Sequence, residues 1–342
     1  MKQIIISKYG TPDVLKVKNV NDPSPKPNEI LIANKFSGVN FSEVMARMNL
    51  YPGSPKPPCS LGGECCGIVE RIGKNVKKFK VGQKVMAFSR FQSYASKVCT
   101  PENMTLPLPD HFTFEEGAAF PIVYVTAFQM LFDLGNLQEN QTILIHGAGG
   151  GVGVAAIQFA KSINAKIIGT ASKWKHPHIQ KMGVEHCIDY TNEDVVTQVK
   201  NITDNRGVDL IIDPVGSNNW KLSYECLDIM GKLIIYGNQS FVTGLKTNPL
   251  KAIKELFSMP KYKPMQLMSE NKSIMGYHLG RMQGSEYKIK KSVEAMNKFI
   301  NNRDVKPVID KVFHYTLASD AHQYMQERKN VGKILIDFSD IE

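Results

Sequence analysis

The sequence predicts an α/β protein with two parts, a β-rich N-terminal domain and a doubly wound parallel sheet with helices on both faces. One observation is a glycine-rich segment, Gly147–Gly153, which stands between an apolar run and a helical pattern. Another is the strand–helix–strand rhythm that runs from Gln141 to Tyr236. The third is the density of Gly, Pro and Asn before residue 120, which divides that part of the chain into short strands.

The composition limits the class of protein. The chain has 342 residues, enough for two domains, and its apolar fraction of 42% is ordinary for a globular protein. No stretch approaches the roughly 20 apolar residues of a membrane span. Six cysteines do not form a disulfide framework in so long a chain, and the N-terminus lacks a signal-peptide pattern, so we expect a cytoplasmic protein. The net charge of +10 comes from dispersed lysines without a nucleic-acid-binding motif.

The N-terminal part is predicted to be a compact, barrel-like β domain. Its predicted strands are Ile30–Phe36, Cys65–Ile72, Lys84–Ala87 and Ala95–Val98. A helix is predicted over Phe114–Leu134, because Thr113 is a suitable N-cap and two glutamates fall in the first turn. This helix leads into the second part of the chain.

The glycine-rich segment is predicted to connect a strand to a helix. The apolar run Thr142–His146 has strand character, and the residues after the glycines recur at helical spacing. Small residues at Ala148, Gly150 and Gly153 would let a pyrophosphate approach the backbone, and the N–H groups at the helix start would stabilise its charge. The segment therefore predicts a dinucleotide-binding turn. A tight turn that holds no ligand is the alternative.

The rest of the chain continues the sheet and then returns to the first domain. Further strands are predicted at Lys166–Thr170, His186–Asp189, Val208–Asp213 and Lys232–Tyr236, with an edge strand at Ser273–Tyr277. Helices are predicted at Pro177–Met182, Asp194–Ile202 and Trp220–Met230. From Val308 onward the pattern predicts a strand, a helix near Ala318–Arg328 and a closing strand at Lys333–Phe338.

The residues after the second strand of the sheet indicate which dinucleotide is bound. A site for NAD usually carries an acidic residue about 20 residues after the glycines, to bind the ribose 2′-hydroxyl. Here no acidic residue lies between Gln141 and Val184. Ser172, Lys173 and Lys175 suit a 2′-phosphate, which a carboxylate would repel. We therefore predict NADPH, the alternative being that these lysines are only solvated loop charges.

No metal site is predicted. Zinc requires three or four Cys, His or carboxylate ligands, and the six cysteines include no pair with C-x2-C spacing. Cys65 and Cys66 are adjacent in a predicted strand, so their side chains point to opposite faces of the sheet.

Short motifs along nearly the whole chain carry a family resemblance. They are Ser37–Asn40, Leu61–Val69, Val81–Val85, Tyr124–Ala127, His146–Gly153 and Asn330–Lys333. Together they resemble the zinc-independent medium-chain dehydrogenases/reductases of the quinone oxidoreductase (zeta-crystallin) group. Other stretches are most similar to the vesicle amine transport protein branch of that group, namely Met45–Arg47, Leu131–Leu137, Gly276–Gly280 and Lys329–Lys333.

The resemblance implies a Rossmann domain over residues 123–265 and a GroES-like catalytic domain formed by residues 1–122 and 266–342. It implies a zinc-independent homodimer that transfers a hydride from NADPH to a quinone. The residues implied to bind the cofactor are Asn40, Thr126, Ala148, Gly150, Gly151, Val152, Ser172, Lys175, Tyr190, Gly237, Tyr277, Leu279 and Lys333. The residues expected to be catalytic are Asn40 and Tyr51.

Reduction of a conjugated carbonyl needs hydrogen-bond donors near the acceptor oxygen, where negative charge develops. Asn40, Arg47, Tyr51 and His278 are the candidates. Arg47 alternatively pairs with a carboxylate, and Tyr51 alternatively forms a wall of the cleft. Glu43 and Asn49 depart from the family pattern, which usually has Asp and Gly at these positions, so the resemblance does not define the substrate pocket.

The sequence is also compatible with two other functions. One is reduction of an enal or enone, which differs from quinone reduction only in the acceptor. The other is a membrane-associated, NADPH-binding protein that handles lipids with little turnover. Lys246–Lys263 contains five lysines and one glutamate interleaved with apolar residues, a pattern typical of a basic amphipathic helix on an anionic membrane. A surface helix that packs its apolar stripe on the protein is the alternative.

Overall fold

The protein, seen in a computed structural model that describes residues 1–242, 244–246, 248–282 and 284–341, forms two compact units. Unit 1 spans Met1–Val123, Val242–Thr247 and Pro307–Glu342, and unit 2 spans Tyr124–Phe241 and Asn248–Lys306. The domain boundary expected at residue 266 is wrong, because the strand Ser273–Gly276 pairs with the sheet of unit 2.

The strands and helices alternate along unit 2 and are less regular in unit 1. In chain order the strands are β1 (Lys2–Ile6), β2 (Leu15–Asn19), β3 (Glu29–Val39), β4 (Cys59–Ser60), β5 (Glu64–Ile72), β6 (Lys84–Phe88), β7 (Lys97–Pro101), β8 (Thr105–Pro107), β9 (Thr142–His146), β10 (Lys166–Ala171), β11 (His186–Asp189), β12 (Val208–Asp213), β13 (Leu227–Ile235), β14 (Ser273–Gly276), β15 (Ile309–His314) and β16 (Lys333–Asp337). The helices are α1 (Phe41–Arg47), α2 (Phe114–Ala119), α3 (Pro121–Phe128), α4 (Gly151–Ser162), α5 (His176–Met182), α6 (Val195–Ile202), α7 (Asn218–Glu225), α8 (Pro249–Phe257), α9 (Pro264–Glu270), α10 (Glu286–Asn301) and α11 (Ala318–Gln326).

Unit 1 is built on two β-sheets. The larger has the strand order β15-β16-β3-β5-β6-β8, and β7 also pairs with β3; the smaller has the order β2-β1-β4. The pairs are antiparallel except for β15 with β16. The C-terminal segment rejoins this unit as predicted, because β16 pairs with β3 in a register that places Ile334 opposite Val39. The pairing places Lys333 near the end of β3.

Unit 2 contains the predicted doubly wound sheet, in the order β11-β10-β9-β12-β13-β14, and each neighbouring pair is parallel. Every residue of β9 is buried, as expected of a central strand of a sheet covered on both faces. The strand order changes direction beside β9, since the chain proceeds from β9 outward to β11 and then returns to β12. Open parallel sheets bind ligands at such a switch point, outside the carboxyl ends of the strands.

Two predicted helices differ from the structure. The helix expected over Phe114–Leu134 is divided, because α2 ends at Ala119, α3 begins at Pro121 and the chain then widens into a π-helical turn at Gln129–Leu134. The helix expected over Trp220–Met230 ends at Glu225, and the next residues form β13. Met230 has a φ of 65°, which a right-handed helix does not accept.

Helix α8 leaves an apolar face uncovered within its unit. Leu250 and Phe257 are 80% and 84% exposed, and Ile253 and Leu256 between them are also exposed. These positions recur at helical spacing on one side of α8. In the part of the chain that the structure describes, no helix has the length and apolar character to cross a membrane.

Candidate functional site

The glycine turn of unit 2 has the geometry of an anion-binding helix start. Gly147 has a φ of 65°, and Gly150 is the N-cap of α4. A Cβ on Gly153 would lie 2.5 Å from the carbonyl oxygen of Gly147, so only glycine permits this close approach of helix and turn. A Cβ on Gly150 would contact only the Gly147 oxygen, at 3.3 Å, so the space before the helix remains open to a phosphate group.

The residues predicted to bind a 2′-phosphate lie together beside this turn. Ser172 and Tyr190 follow the neighbouring parallel strands β10 and β11, and their hydroxyl oxygens are 3.2 Å apart. The stem of Lys175 lies against the turn, since a Cβ on Gly149 would be 2.8 Å from its Cδ. The Lys175 ammonium lies 5.1 Å from the centre of the Trp174 ring. The structure therefore places one ammonium group and two hydroxyl groups beside the glycine turn.

The carboxylate of Asp189, close to this cluster, is hydrogen-bonded within the turn that follows β11. Asp189 ends β11, and it accepts hydrogen bonds from the Thr191 hydroxyl at 2.6 Å and the Asn192 amide at 2.7 Å. These bonds, led by that of the Thr191 hydroxyl, lower the pKa of Asp189. Asp189 thus shapes the turn after β11 with its oxygens already bonded.

A buried polar network that the sequence analysis missed lies under the glycine turn. His146 Nδ1 is 3.1 Å from the Thr170 hydroxyl, and His146 Nε2 is 3.0 Å from the Ser223 hydroxyl. Ser223 donates to Asp213 at 2.7 Å, as does the amide of Asn219. Because Ser223 donates to the carboxylate, its oxygen accepts from His146 Nε2–H, and Nδ1 accepts from Thr170. Burial lowers the pKa of His146, which agrees with this neutral tautomer.

One signal in the sequence could have revealed this network. His146 and Asp213 each stand at the carboxyl end of a predicted parallel strand, and Thr170 lies at the end of the strand between β9 and β11. Carboxyl ends of adjacent parallel strands meet at one edge of a sheet, so polar residues there come together.

The remaining predicted cofactor residues of unit 2 occupy segments near the same edge of the sheet. Tyr277 follows β14 directly, and its hydroxyl donates to Gln129 Oε1 at 2.6 Å. Thr126 is buried on α3 beside Tyr277, and burial is the main cause of the raised pKa of that tyrosine. Gly237 packs on Pro214, since a Cβ there would lie 2.9 Å from the Pro214 carbonyl oxygen. Leu279 is half-buried.

In unit 1 the predicted residues Asn40 and Lys333 form a buried cluster with Glu64. The Lys333 ammonium donates to Val39 O at 2.9 Å, to Asn40 Oδ1 at 2.6 Å and to Glu64 Oε1 at 2.6 Å. Asn40 Nδ2 donates to the same Glu64 oxygen at 2.8 Å. These contacts fix the orientation of the Asn40 amide. They also use all three N–H groups of Lys333, so its predicted contact with a cofactor would require one of these bonds to break.

Glu43 lies next to this cluster and is 1% exposed. Its Oε2 accepts from the Asn40 backbone N–H at 2.6 Å, which closes the first turn of α1 as a capping box. Burial, partly offset by Lys333, raises the pKa of Glu43 to about 7. The sequence identified Glu43 only as a departure from the family pattern, because its environment depends on distant residues.

The other predicted donors have different surroundings. Tyr51 packs edge to face on Phe91, with ring centres 6.0 Å apart. Arg47 is fully buried and donates to Gly10 O at 2.6 Å and to Gln326 Oε1 at 2.5 Å, so the predicted role at an acceptor oxygen is wrong for this guanidinium. Neither of these two hydrogen bonds goes to a carboxylate, which was the alternative role predicted for Arg47. His278 is half-buried in unit 2, and burial lowers its pKa.

Metal ligands do not come together in the part of the molecule that the structure covers. Among the described residues, no three His, Cys, Asp or Glu side chains are placed to hold a metal ion. Zinc independence stays a prediction.

The fold and the glycine turn define a two-domain protein of the dinucleotide-binding α/β class. Two family descriptions match the chain: "Alcohol dehydrogenase GroES-like domain" over residues 26–131 and "Zinc-binding dehydrogenase" over residues 151–302. The matches divide the chain into the same two kinds of domain that the sequence predicted.

Two curated relatives are similar over almost the whole chain. The synaptic vesicle membrane protein VAT-1 homolog of Danio rerio is 37% identical over 98% of this chain and 69% of its own length. A quinone oxidoreductase of Pseudomonas aeruginosa is 30% identical over 98% of this chain and 99% of its own length.

Three solved structures have the same fold. The human VAT-1 homolog-like protein is 33% identical, with a TM-score of 0.87 over 100% of this chain and 99% of that chain. The Escherichia coli quinone oxidoreductase complexed with NADPH is 27% identical, with a TM-score of 0.86 over 98% of this chain and 100% of that chain. The CurK enoyl reductase is 25% identical, with a TM-score of 0.86 over 98% of both chains.

The chain belongs to the medium-chain dehydrogenase/reductase superfamily, close to the VAT-1 homologues and the quinone oxidoreductases. It is therefore an oxidoreductase of the medium-chain type with a Rossmann domain and a GroES-like domain. The predicted family and fold class are confirmed.

The buried network of unit 2 generates a stability prediction. Ser223→Ala removes the donor to Asp213 and the acceptor for His146, so buried polar atoms lose partners at a cost of roughly 1–3 kcal/mol. Ser162→Ala is the matched control, because that hydroxyl only bonds Phe159 O at the end of α4. Denaturant unfolding should show a clear loss for Ser223→Ala and little change for the control. Equal losses would contradict the importance of the network.

Proposed function

We propose that this protein is an NADPH-dependent, zinc-independent oxidoreductase that reduces a quinone by hydride transfer. The observation that carries the cofactor choice is the cluster of Ser172, Lys175 and Tyr190 against the glycine turn, with Asp189 bonded to its own turn. The similarity to the Escherichia coli quinone oxidoreductase, whose solved structure is complexed with NADPH, supports the same choice for this chain.

The residues of unit 2 fit the parts of NADPH. The open helix start at Gly150, Gly151 and Val152 would hold the pyrophosphate, because backbone N–H groups and the helix dipole favour anions there. Lys175 and its hydroxyl neighbours would hold the 2′-phosphate. Thr126, Tyr277, Gly237 and Leu279 are proposed to line the rest of the cofactor site. Bound NADPH supplies the hydride.

In unit 1, Asn40 is proposed to act on the acceptor. Its amide is held by Lys333 and Glu64, and the described contacts use only one of the two N–H groups of Nδ2. The other N–H can donate to an acceptor oxygen on which negative charge develops. A donor that is already oriented stabilises this charge without reorganisation. Tyr51, packed on Phe91, is proposed to form a wall for the acceptor.

The function is tested by NADPH oxidation against a panel of quinones, enals and enones. We expect turnover with a quinone and NADPH, and much weaker turnover with NADH. Turnover confined to enals or enones would replace the quinone by that alternative acceptor, which the fold similarity to an enoyl reductase also supports. No turnover with any acceptor would contradict the enzymatic proposal.

Lys175 provides the sharpest test of cofactor preference. Lys175→Ala should weaken binding of NADPH by roughly 1.5–3 kcal/mol, the range for a hydrogen bond to a charged group, and should hardly affect NADH. The matched control is Lys173→Ala, since Lys173 is exposed and close in the chain. Isothermal titration of both variants with both cofactors measures the effect. Equal losses for NADPH and NADH would remove Lys175 from the 2′-phosphate site.

We also propose a homodimer formed through the edge of the unit 2 sheet. Strand β14 pairs on one side with β13, and a sheet edge readily pairs with a second copy about a two-fold axis. Tyr277 N donates to Ile235 O, so by alternation the Gly276 N–H points to the outer side. Gly276→Pro removes this N–H donor. The substitution has room, because a Cβ at position 276 would have no atom within 4 Å. Light scattering should give a dimer for the wild type and a monomer for the variant; a wild-type monomer would contradict the proposal.

The second candidate function is a membrane-associated protein that binds NADPH and handles lipids. It is favoured by the exposed apolar face of α8, which carries Lys254 and is flanked in the chain by Lys246, Lys261 and Lys263. Within Lys246–Lys263, residue 247 and the side chain of Lys251 lie outside the described residues. Binding to vesicles with anionic lipids, together with no turnover of any acceptor, would favour this function. A cytoplasmic location is proposed with the first function.

A further inference from the structure

A chain of hydrogen bonds connects Tyr277 to the surface of unit 2. The Tyr277 hydroxyl donates to Gln129 Oε1 at 2.6 Å, and Gln129 Nε2 donates to the Ser292 hydroxyl at 2.8 Å. The Ser292 hydroxyl lies 2.8 Å from Asp133 Oδ2. Gln129 and Ser292 are 3% and 2% exposed, whereas Asp133 lies at the surface. The chain therefore joins a residue of the proposed cofactor site to a carboxylate through two buried side chains.

The acceptors around Ser292 set the direction of every bond in this chain. Ser292 has a single proton and two acceptors within reach, Asp133 Oδ2 and the Lys288 carbonyl oxygen at 2.9 Å. A carboxylate is the stronger acceptor, and with either partner the serine oxygen can only accept from Gln129. The Gln129 amide then turns its N–H groups to Ser292 and its oxygen to Tyr277. Tyr277 is left as the donor to Gln129.

The Tyr277 hydroxyl can therefore only accept from a further partner. A phenol has one proton, and Gln129 receives it, so the oxygen offers only lone pairs to a ligand. The chain is not a path for protons, because the amide of Gln129 stands in its middle and carries its donor and its acceptor on different atoms. Its physical effect is to fix the hydrogen-bonding role of Tyr277.

Aromatic packing holds together the two elements that carry the chain. Gln129 and Asp133 belong to the π-helical turn after α3, and Ser292 lies on α10. Phe132 of the turn stacks on Phe299 of α10, with ring centres 5.8 Å apart and an interplanar angle of 13°. Turns of this kind are frequent at functional sites. Because the rings hold the two elements, loss of one hydrogen bond in the chain should leave them in place.

Tyr277 lies on the half of the sheet that the nicotinamide should occupy. The proposed 2′-phosphate cluster stands at the ends of β10 and β11, and the glycine turn follows β9. On the other side of β9 the sheet continues through β12 and β13 to β14. A dinucleotide lies across the carboxyl ends of both halves of such a sheet, so its nicotinamide lies over the half that ends in β14. Tyr277 is the first residue after β14.

We propose that Gln129 and Ser292 are positioning residues, which engage the Tyr277 proton so that the Tyr277 oxygen accepts an N–H of the nicotinamide carboxamide. The inference rests on the proposed binding of NADPH. A carboxamide has an oxygen and an NH2 group, and a hydroxyl with a free proton would bind either of them. A Tyr277 oxygen that can only accept selects the NH2 group. The direction of the chain thus fixes the rotation of the carboxamide about its bond to the ring.

The test uses three ligands that differ at the nicotinamide end: NADP⁺, its 3-acetylpyridine analogue and adenosine 2′,5′-bisphosphate. The analogue has a methyl group in place of the carboxamide NH2, and the bisphosphate lacks the nicotinamide half. Isothermal titration of the wild type should give weaker binding of the analogue than of NADP⁺, by roughly two- to tenfold for one net hydrogen bond. Equal affinities for NADP⁺ and the analogue would overturn the proposal.

Gln129→Met keeps the approximate size of the side chain and removes both of its hydrogen bonds. It should weaken binding of NADP⁺ by the same factor, to the level of the analogue, and leave binding of the bisphosphate unchanged. Ser292→Ala should give the same pattern with a smaller loss, because it frees the Gln129 amide to turn. A variant that only distorts unit 2 would weaken all three ligands alike, and this outcome in both variants overturns the proposal.

A double-mutant cycle shows whether Gln129 acts through Tyr277. Tyr277→Phe removes the accepting oxygen, so it should weaken NADP⁺ and abolish its advantage over the analogue. Gln129→Met should then cause no further loss in the Tyr277→Phe background. Losses that add in the double variant would contradict action through Tyr277.

Gln158→Met is the matched control, because Gln158 also accepts a hydrogen bond from a tyrosine of unit 2. Its Oε1 accepts from the Tyr124 hydroxyl at 2.8 Å, and its Nε2 donates to the Lys306 carbonyl oxygen at 2.8 Å. None of these three residues is part of the proposed cofactor site. The control should bind the three ligands as the wild type does. A loss confined to NADP⁺ in the control as well would overturn the role given to Gln129.

These titrations separate the inference from the proposed reaction. A wild type that reduces no acceptor contradicts the reaction, while a loss confined to NADP⁺ in Gln129→Met still supports the positioning role. A wild type that binds neither NADP⁺ nor the bisphosphate contradicts the proposed cofactor and overturns the positioning role with it.

Discussion

The organisation of unit 1 depends on the buried ion pair between Lys333 and Glu64, whose charged atoms are 2.6 Å apart. It links the last strand of the unit, β16, to β5, and through Val39 O to β3 between them. Taking two charges out of water is expensive, so such a pair is tolerated only when its other donors and acceptors are satisfied. Here they are, since Lys333 and Glu64 use the backbone of Val39 and Ile122 and the Asn40 amide.

The same ion pair sets the chemistry of its neighbours. By holding both ends of the Asn40 amide, it fixes a hydrogen-bond donor in one orientation, which is what stabilisation of a developing oxyanion requires. Burial raises the pKa of the neighbouring Glu43 carboxyl, and the Lys333 ammonium, whose three N–H groups are engaged elsewhere, offsets this only in part. The orientation of the Asn40 donor is thus a consequence of the ion pair, and the raised pKa of Glu43 is mainly a consequence of burial. Neither depends on a residue that is exposed to solvent.

The sequence could predict what is encoded locally. The glycine turn, the parallel sheet and the cluster of Ser172, Lys175 and Tyr190 depend on short segments at the ends of adjacent strands, and the structure brings them together as expected. The role of Lys333 could not be predicted in this way, because Asn40, its partner, lies 293 residues away. The end of α7 was missed for a related reason, since pairing of β13 with β12 overrides the local helical pattern of Leu227–Met230.

Burial shifts the pKa of one titratable group in each unit, in opposite directions. In unit 2 the chain from Thr170 through His146 and Ser223 ends on the carboxylate of Asp213, and burial lowers the pKa of His146, so it remains neutral at and above neutral pH. In unit 1 the pKa of Glu43 is about 7. A titration near neutral pH is therefore expected of Glu43 in unit 1 and not of His146 in unit 2.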